Sequence, residues 1–283
     1  MLAPVMVRTF GRTGSTLLMQ ILGSNERVCF ERSYPFEHRY LTYAYNLARV
    51  VGEPCRTDEI WNNDRLFQSN SPVVGGLPYG EVELFDRELL ARELFASNWE
   101  RFSAVIRRRQ GLRADVPAFY AEKVPRQVAA AGAEILGGRS IWLLRDPRDE
   151  MVSIKAFNAK RGHLGFGWGE NDTDETYARR LCRNRRAFLV RLAEMRTDER
   201  EIGVRYEDLV QDGRREIERL SDWLGLPLRG PSAFRDRKIR KLHMTAPDAA
   251  STVERWRGEL DADVQGIFAE ELGDELRRLG YAA

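Results

Sequence analysis

Residues 5–22, VMVRTFGRTGSTLLMQIL, constrain this chain most. A short apolar run gives way to a turn rich in glycine and hydroxyl residues. Leu17, Leu18, Ile21 and Leu22 then recur at the spacing of one helix face. Strand, tight turn and helix in that order is the geometry that holds an anionic phosphate. Backbone N–H groups at the helix N-terminus and the positive end of its dipole point at the ligand. Gly11 and Gly14 let the backbone bend and come close. Ser15 and Thr16 add hydroxyl donors, and Arg12 adds a fixed charge on a forked donor set. The turn is not a Walker A box, which needs Lys directly before its hydroxyl residue. Here the cation, Arg12, comes before the second glycine.

Further alternation of strand-like and helix-like segments follows. Strands are expected at 28–30, 120–124, 140–144 and 202–206, and helices at 40–51, 83–109, 147–160, 174–196 and 214–224. The run 140–144 is apolar throughout, as a central parallel strand buried on both faces requires. Asp146 is placed to cap the next helix, with Pro147 at its first position. The pattern predicts an α/β fold: a single P-loop-like three-layer domain over residues 1–283, with a central parallel sheet flanked by helices.

Composition mainly excludes. Of 283 residues 43% are hydrophobic and 31% charged, and the net charge of +2 calls for neither nucleic acid nor an anionic membrane as partner. There are forty Arg against five Lys. So strong a bias follows coding composition, and each Arg has to be judged by its position. Three widely spaced cysteines, Cys29, Cys55 and Cys182, form neither a disulfide framework nor a metal-ligand pattern. With no signal peptide and no stretch fit to span a bilayer, a cytoplasmic protein without a transmembrane segment is expected.

The second informative stretch is LLRDPRDEMVS, residues 143–153. Arg145 leaves a strand at its carboxyl end, where open α/β sheets bind ligands. Ser153 sits on the following helix, where its hydroxyl can meet the same anion. The loop with Arg12, Thr13, Gly14, Ser15 and Thr16 resembles the 5′-phosphosulfate loop of sulfotransferases that use 3′-phosphoadenosine 5′-phosphosulfate (PAPS). Arg145 with Ser153 resembles their 3′-phosphate site. Three shorter matches follow the same order. Lys123-Val124-Pro125 is similar to the segment whose Lys approaches the transferring sulfonate. Tyr206-Glu207-Asp208 is similar to the turn whose Tyr borders the adenine. Residues 251–256, with Arg255-Trp256, resemble the segment that closes over the nucleotide, so that Arg255 is a further phosphate contact.

The resemblance implies a PAPS-dependent sulfotransferase of the carbohydrate- and bacterial-type branch, with PAPS as co-substrate and no metal. It departs from the small-molecule members in two places. Leu17 stands where many carry an adenine-stacking Trp, and Pro125 occupies the place of their catalytic His. A Glu shortly after the first helix is the usual base in members without that His, and Glu31 and Glu37 both fit. Arg12 and Lys123 are then expected to stabilise charge at the transferring group. The acceptor is a small molecule, carbohydrate or lipid, with residues 40–79 and the glycine-rich, lid-like loop 162–169 expected to shape its pocket. The basic run 235–241 reads as a solvated face. A P-loop-type nucleotide kinase and an inactive PAPS-binding relative are the alternatives.

Overall fold

The apolar runs pair as buried strands. The computed structural model describes residues 1–32, 36, 39–52, 86–230, 244–246, 248 and 250–282. In these, β1 (Ala3–Arg8), β2 (Val28–Cys29), β3 (Phe119–Lys123), β4 (Arg139–Leu144) and β5 (Glu201–Arg205) form one parallel sheet in the order β2-β3-β1-β4-β5. Helices α1 (Ser15–Leu22), α2 (Tyr40–Gly52), α3 (Arg87–Arg109), α4 (Arg126–Leu136), α5 (Pro147–Arg161) and α6 (Asp174–Glu194) connect or flank the strands. They are followed by α7 (Tyr206–Gln211), α8 (Gly213–Leu224), α9 (Trp256–Glu259) and α10 (Ala262–Arg278).

Alternation within each strand assigns the two faces. Val5, Val7, Ile141 and Leu143 face Leu18, Ile21 and Leu22 of α1 and Leu220 and Leu224 of α8. Met6 turns the other way, to Trp99 of α3 and Val128 of α4, while Trp142 and Leu144 meet α5, α6 and α10. Both faces of the sheet are covered, giving the three layers expected. Each fully buried Leu or Val contributes roughly 1.5–3 kcal/mol.

Because every pairing is parallel, the ends at Arg8, Cys29, Lys123, Leu144 and Arg205 lie along one edge. β1 sits between β3 and β4, where the crossovers leave in opposite directions, and such a point opens a crevice for ligands. Asp146 caps α5 as expected, its side chain accepting the Arg148 N–H at 2.9 Å. Tyr206, read as the end of a strand, instead opens α7. Residues 53–85, His38, His243 and the basic run 235–241 lie outside the described residues.

Candidate active site

The loop after β1 is shaped by its backbone. Gly14 has φ 87°, a left-handed conformation open to glycine, and it is the N-cap of α1 with no side-chain cap. The first N–H groups of α1 are thus not taken by a capping side chain, which is what an anion site at a helix start needs. A Cβ at Gly14 would run into the Tyr206 ring, so glycine is also required for close approach. Arg12 too has positive φ, 66°. The Thr13 hydroxyl is turned inward: it donates to the Phe10 carbonyl at 2.8 Å and meets the Thr9 hydroxyl. Thr9 Oγ1 in turn donates to the Leu143 carbonyl at 3.0 Å, tying the loop to β4.

The strand tips of β1 and β4 meet. Arg145, 4% exposed, donates from Nη1 to the Arg12 carbonyl at 3.0 Å and from Nη2 to the Thr252 carbonyl at 2.7 Å. Its Nε is buried without a partner, and among the described residues no carboxylate lies within ion-pair distance of it. A buried cation left so is costly unless an anion completes it. Its guanidinium also lies 4.8 Å from the Tyr206 ring centroid, and the Tyr206 hydroxyl bonds Thr252 Oγ1 at 2.7 Å. Ser153, read as meeting the same anion as Arg145, accepts at Oγ from Arg12 Nε at 3.2 Å, and the Arg12 guanidinium rests 4.2 Å over the Phe157 ring. Arg12 is therefore in direct contact with both Ser153 and Arg145, and Arg145 with Tyr206.

The turn holding Arg145 is charged and buried. Asp146, Arg148, Asp149 and Glu150 are each at most 4% exposed. Arg148 forks onto Asp146 at 2.8–3.2 Å and donates to the Ala282 carbonyl at 2.6 Å. Glu207 accepts the Asp146 N–H and the Tyr281 hydroxyl, both at 2.9 Å, and burial raises its pKa. Glu150 takes Arg185 at 2.5 and 3.1 Å, and that guanidinium lies 3.6 Å over Phe10 of the first loop.

The remaining expected residues are less central. Lys123 ends β3 half-buried, and Glu31 is half-buried two residues beyond β2 on the same edge of the sheet. Glu37 lies outside the described residues. Arg255 is bound by Glu259 at 2.8 and 3.0 Å and reaches Thr245 Oγ1 at 3.4 Å. The neighbour of Lys123, Glu122, is a buried carboxylate that takes the Leu41 and Thr42 N–H groups at 2.8 and 3.0 Å and the Tyr120 hydroxyl at 2.8 Å. It caps α2, and burial raises its pKa despite these bonds. The loop 162–169 is held in place: Trp168 stacks on Tyr177 at 4.0 Å, and the Tyr177 hydroxyl donates to the Phe166 carbonyl at 2.9 Å. The Phe166 ring occupies the space a Cβ on Gly11 would need. Among the described residues no group of three His, Cys, Asp or Glu converges on a metal position, and no helix is long and apolar enough to cross a membrane.

The model of the sulfotransferase family matches residues 4–230. The chain belongs to the sulfotransferase family. This displaces the kinase alternative and bears out the resemblance read from the two strand tips. Among solved structures, the chain is similar to the sulfotransferase domain of the Synechococcus PCC 7002 olefin synthase at 19% identity and TM-score 0.53. That match covers 100% of this chain and 96% of the other. The sulfotransferase domain from the curacin biosynthetic pathway aligns at 15% identity and TM-score 0.50 over 100% and 99%. At these identities the two share the fold. No curated protein sequence matches the chain.

For this sulfotransferase the sequence reading named the segments that carry Thr252, Asp149 and Phe166 but gave these three residues no contacts of their own. Thr252 and Phe166 meet Arg145, Tyr206 and Gly11 only through tertiary packing. Asp149 was visible as part of an acidic helix start, but its partners lie a hundred residues away in sequence.

Proposed function

We propose that this enzyme moves a sulfonate group from PAPS to a hydroxyl or amine acceptor by in-line displacement. One observation carries the reading: Arg145, buried with an unpartnered Nε and no carboxylate at ion-pair distance among the described residues, is bonded directly to the phosphate-type loop. A doubly phosphorylated adenosine is the ligand that uses both tips. PAPS would supply a sulfonate already joined to a leaving group, its 5′-phosphate.

The protein's own task is then positioning and charge stabilisation. Gly14, Ser15 and Thr16 hold the 5′-phosphate through the N–H groups and hydroxyls at the start of α1, and Thr13 contributes its main chain. Arg12 and Lys123 neutralise charge on the leaving phosphate and the moving sulfonate. Arg145 with Ser153, helped by Arg255, takes the 3′-phosphate, and Tyr206 borders the adenine. A glutamate, Glu31 or Glu37, accepts the acceptor's proton. The acceptor is a small molecule, carbohydrate or lipid, and one domain carries the whole site. The buried free thiols of Cys29 and Cys182 suit the cytoplasm.

Adenosine 3′,5′-bisphosphate should raise the Tm by several degrees while ATP with magnesium leaves it unmoved. The reverse result would end the PAPS reading. Transfer of radiolabelled sulfonate to a panel of sugars, lipids, phenols and amines then identifies the acceptor class. With an acceptor in hand, Glu31→Gln or Glu37→Gln should cut kcat by roughly 10²–10⁴-fold at the position that serves as base. Equal, small losses in both would exclude a glutamate base at either place.

A further inference from the structure

One carboxylate of the turn after β4 has no part in that chemistry, yet it holds a segment that does. Asp149 is 1% exposed, and its two oxygens accept the backbone N–H of Glu254 at 2.7 Å and of Trp256 at 3.0 Å. These residues flank Arg255. Glu254 has φ 57°, a conformation a residue other than glycine keeps when its surroundings impose it. Two residues earlier Thr252 gives its carbonyl to Arg145 and its hydroxyl to Tyr206. Arg148, from the same turn as Asp149, lies 3.7 Å over the Trp256 ring. The strap 250–256 is thus docked on the first turn of α5 on both sides of Arg255.

We propose that Asp149 is a positioning residue for nucleotide binding: it fixes the backbone on both sides of Arg255, on the strap that Arg145 and Tyr206 also hold, without touching the ligand itself. The proposal rests on the PAPS reading and on Arg255 as a phosphate contact. Burial pushes the Asp149 carboxyl up to about 6, against the attraction of Arg145.

Asp149→Asn retains the shape but can accept only one of the two N–H groups. Titration with adenosine 3′,5′-bisphosphate should show roughly tenfold weaker binding than wild type, since two bonds to a charged acceptor are degraded. The KM for PAPS should rise by a similar factor, with kcat changed less than twofold. Arg255→Ala should weaken binding at least as much, and the double variant should be no weaker than Arg255→Ala, because both act through one contact. Wild-type affinity in Asp149→Asn, or losses that add in the double variant, would overturn the proposal. Should Asp149→Asn fail to fold, amide exchange in the wild-type protein decides. The Glu254 and Trp256 N–H groups should be protected without nucleotide, and fast exchange at both would refute the strap's anchoring. If the bisphosphate does not bind wild type at all, the PAPS reading falls and this proposal with it. Tight binding to wild type and Asp149→Asn alike removes the role of Asp149 alone.

Discussion

The two turns at the tips of β1 and β4 lie against one another and are built on opposite plans. The first, residues 11–16, works through its main chain: glycine at a left-handed position, an uncapped helix start, and a threonine hydroxyl folded inward. The second, residues 145–150, works through side chains, with five charged residues nearly removed from solvent and partnered across the molecule. The first should respond most to changes of shape, Arg12 being its one charged side chain. The second should respond to changes of both shape and charge, and to pH.

The largest effect is expected at the first turn. Gly14→Ala adds a Cβ at φ 87° and against the Tyr206 ring. Bisphosphate binding by calorimetry should weaken a hundredfold or more, with circular dichroism still native. Wild-type affinity there would mean that close backbone approach is not what this turn provides.

Arg145→Lys comes next and keeps the charge while losing the fork that spans Arg12 and Thr252. Affinity should drop roughly ten- to hundredfold, the worth of one or two charge-assisted bonds. A Lys variant as good as wild type would show that charge alone matters in the second turn. Tyr206→Phe, which removes the hydroxyl bound to Thr252, should cost about 1 kcal/mol, or about fivefold in affinity.

The smallest effect separates the turns by pH. The Asp149 carboxyl, raised from 3.8 to about 6, keeps its proton in the folded chain where the unfolded chain gives it up. Its contribution to stability is therefore greatest below pH 4, falls as pH rises from about 4 to 6, and is level above. The urea midpoint of wild type minus that of Asp149→Asn should follow this slope. A difference independent of pH would mean that the carboxyl titrates near its ordinary value.

How far these turns were legible differs as well. Glycine spacing, the apolar helix face after it and the Asp146-Pro147 cap are local signals, and each corresponds to an element in the structure. Arg145 and Ser153 were visible as a pair because strand end and helix turn bring them to one side. Their bonding was not, since Ser153 turns to Arg12 and Arg145 to two carbonyls. The start of α7 was misread by one residue, because Tyr206 has strand propensity and its helical state is set by packing against Gly14 and Thr252.

By itself the sequence determined the strand–helix alternation, the phosphate-type loop and the position of each expected ligand along the chain, because these follow from periodicity and from what glycine, proline and aspartate do to their own backbone. Tertiary structure alone decided that Thr252 meets Arg145 and Tyr206, that Asp149 holds the backbone of Glu254 and Trp256, that Phe166 packs beside Gly11, and which partners Arg12, Arg145 and Arg255 hold. Burial makes that decision: once water is excluded, a charge must bond to whatever the fold brings beside it, however distant in the chain.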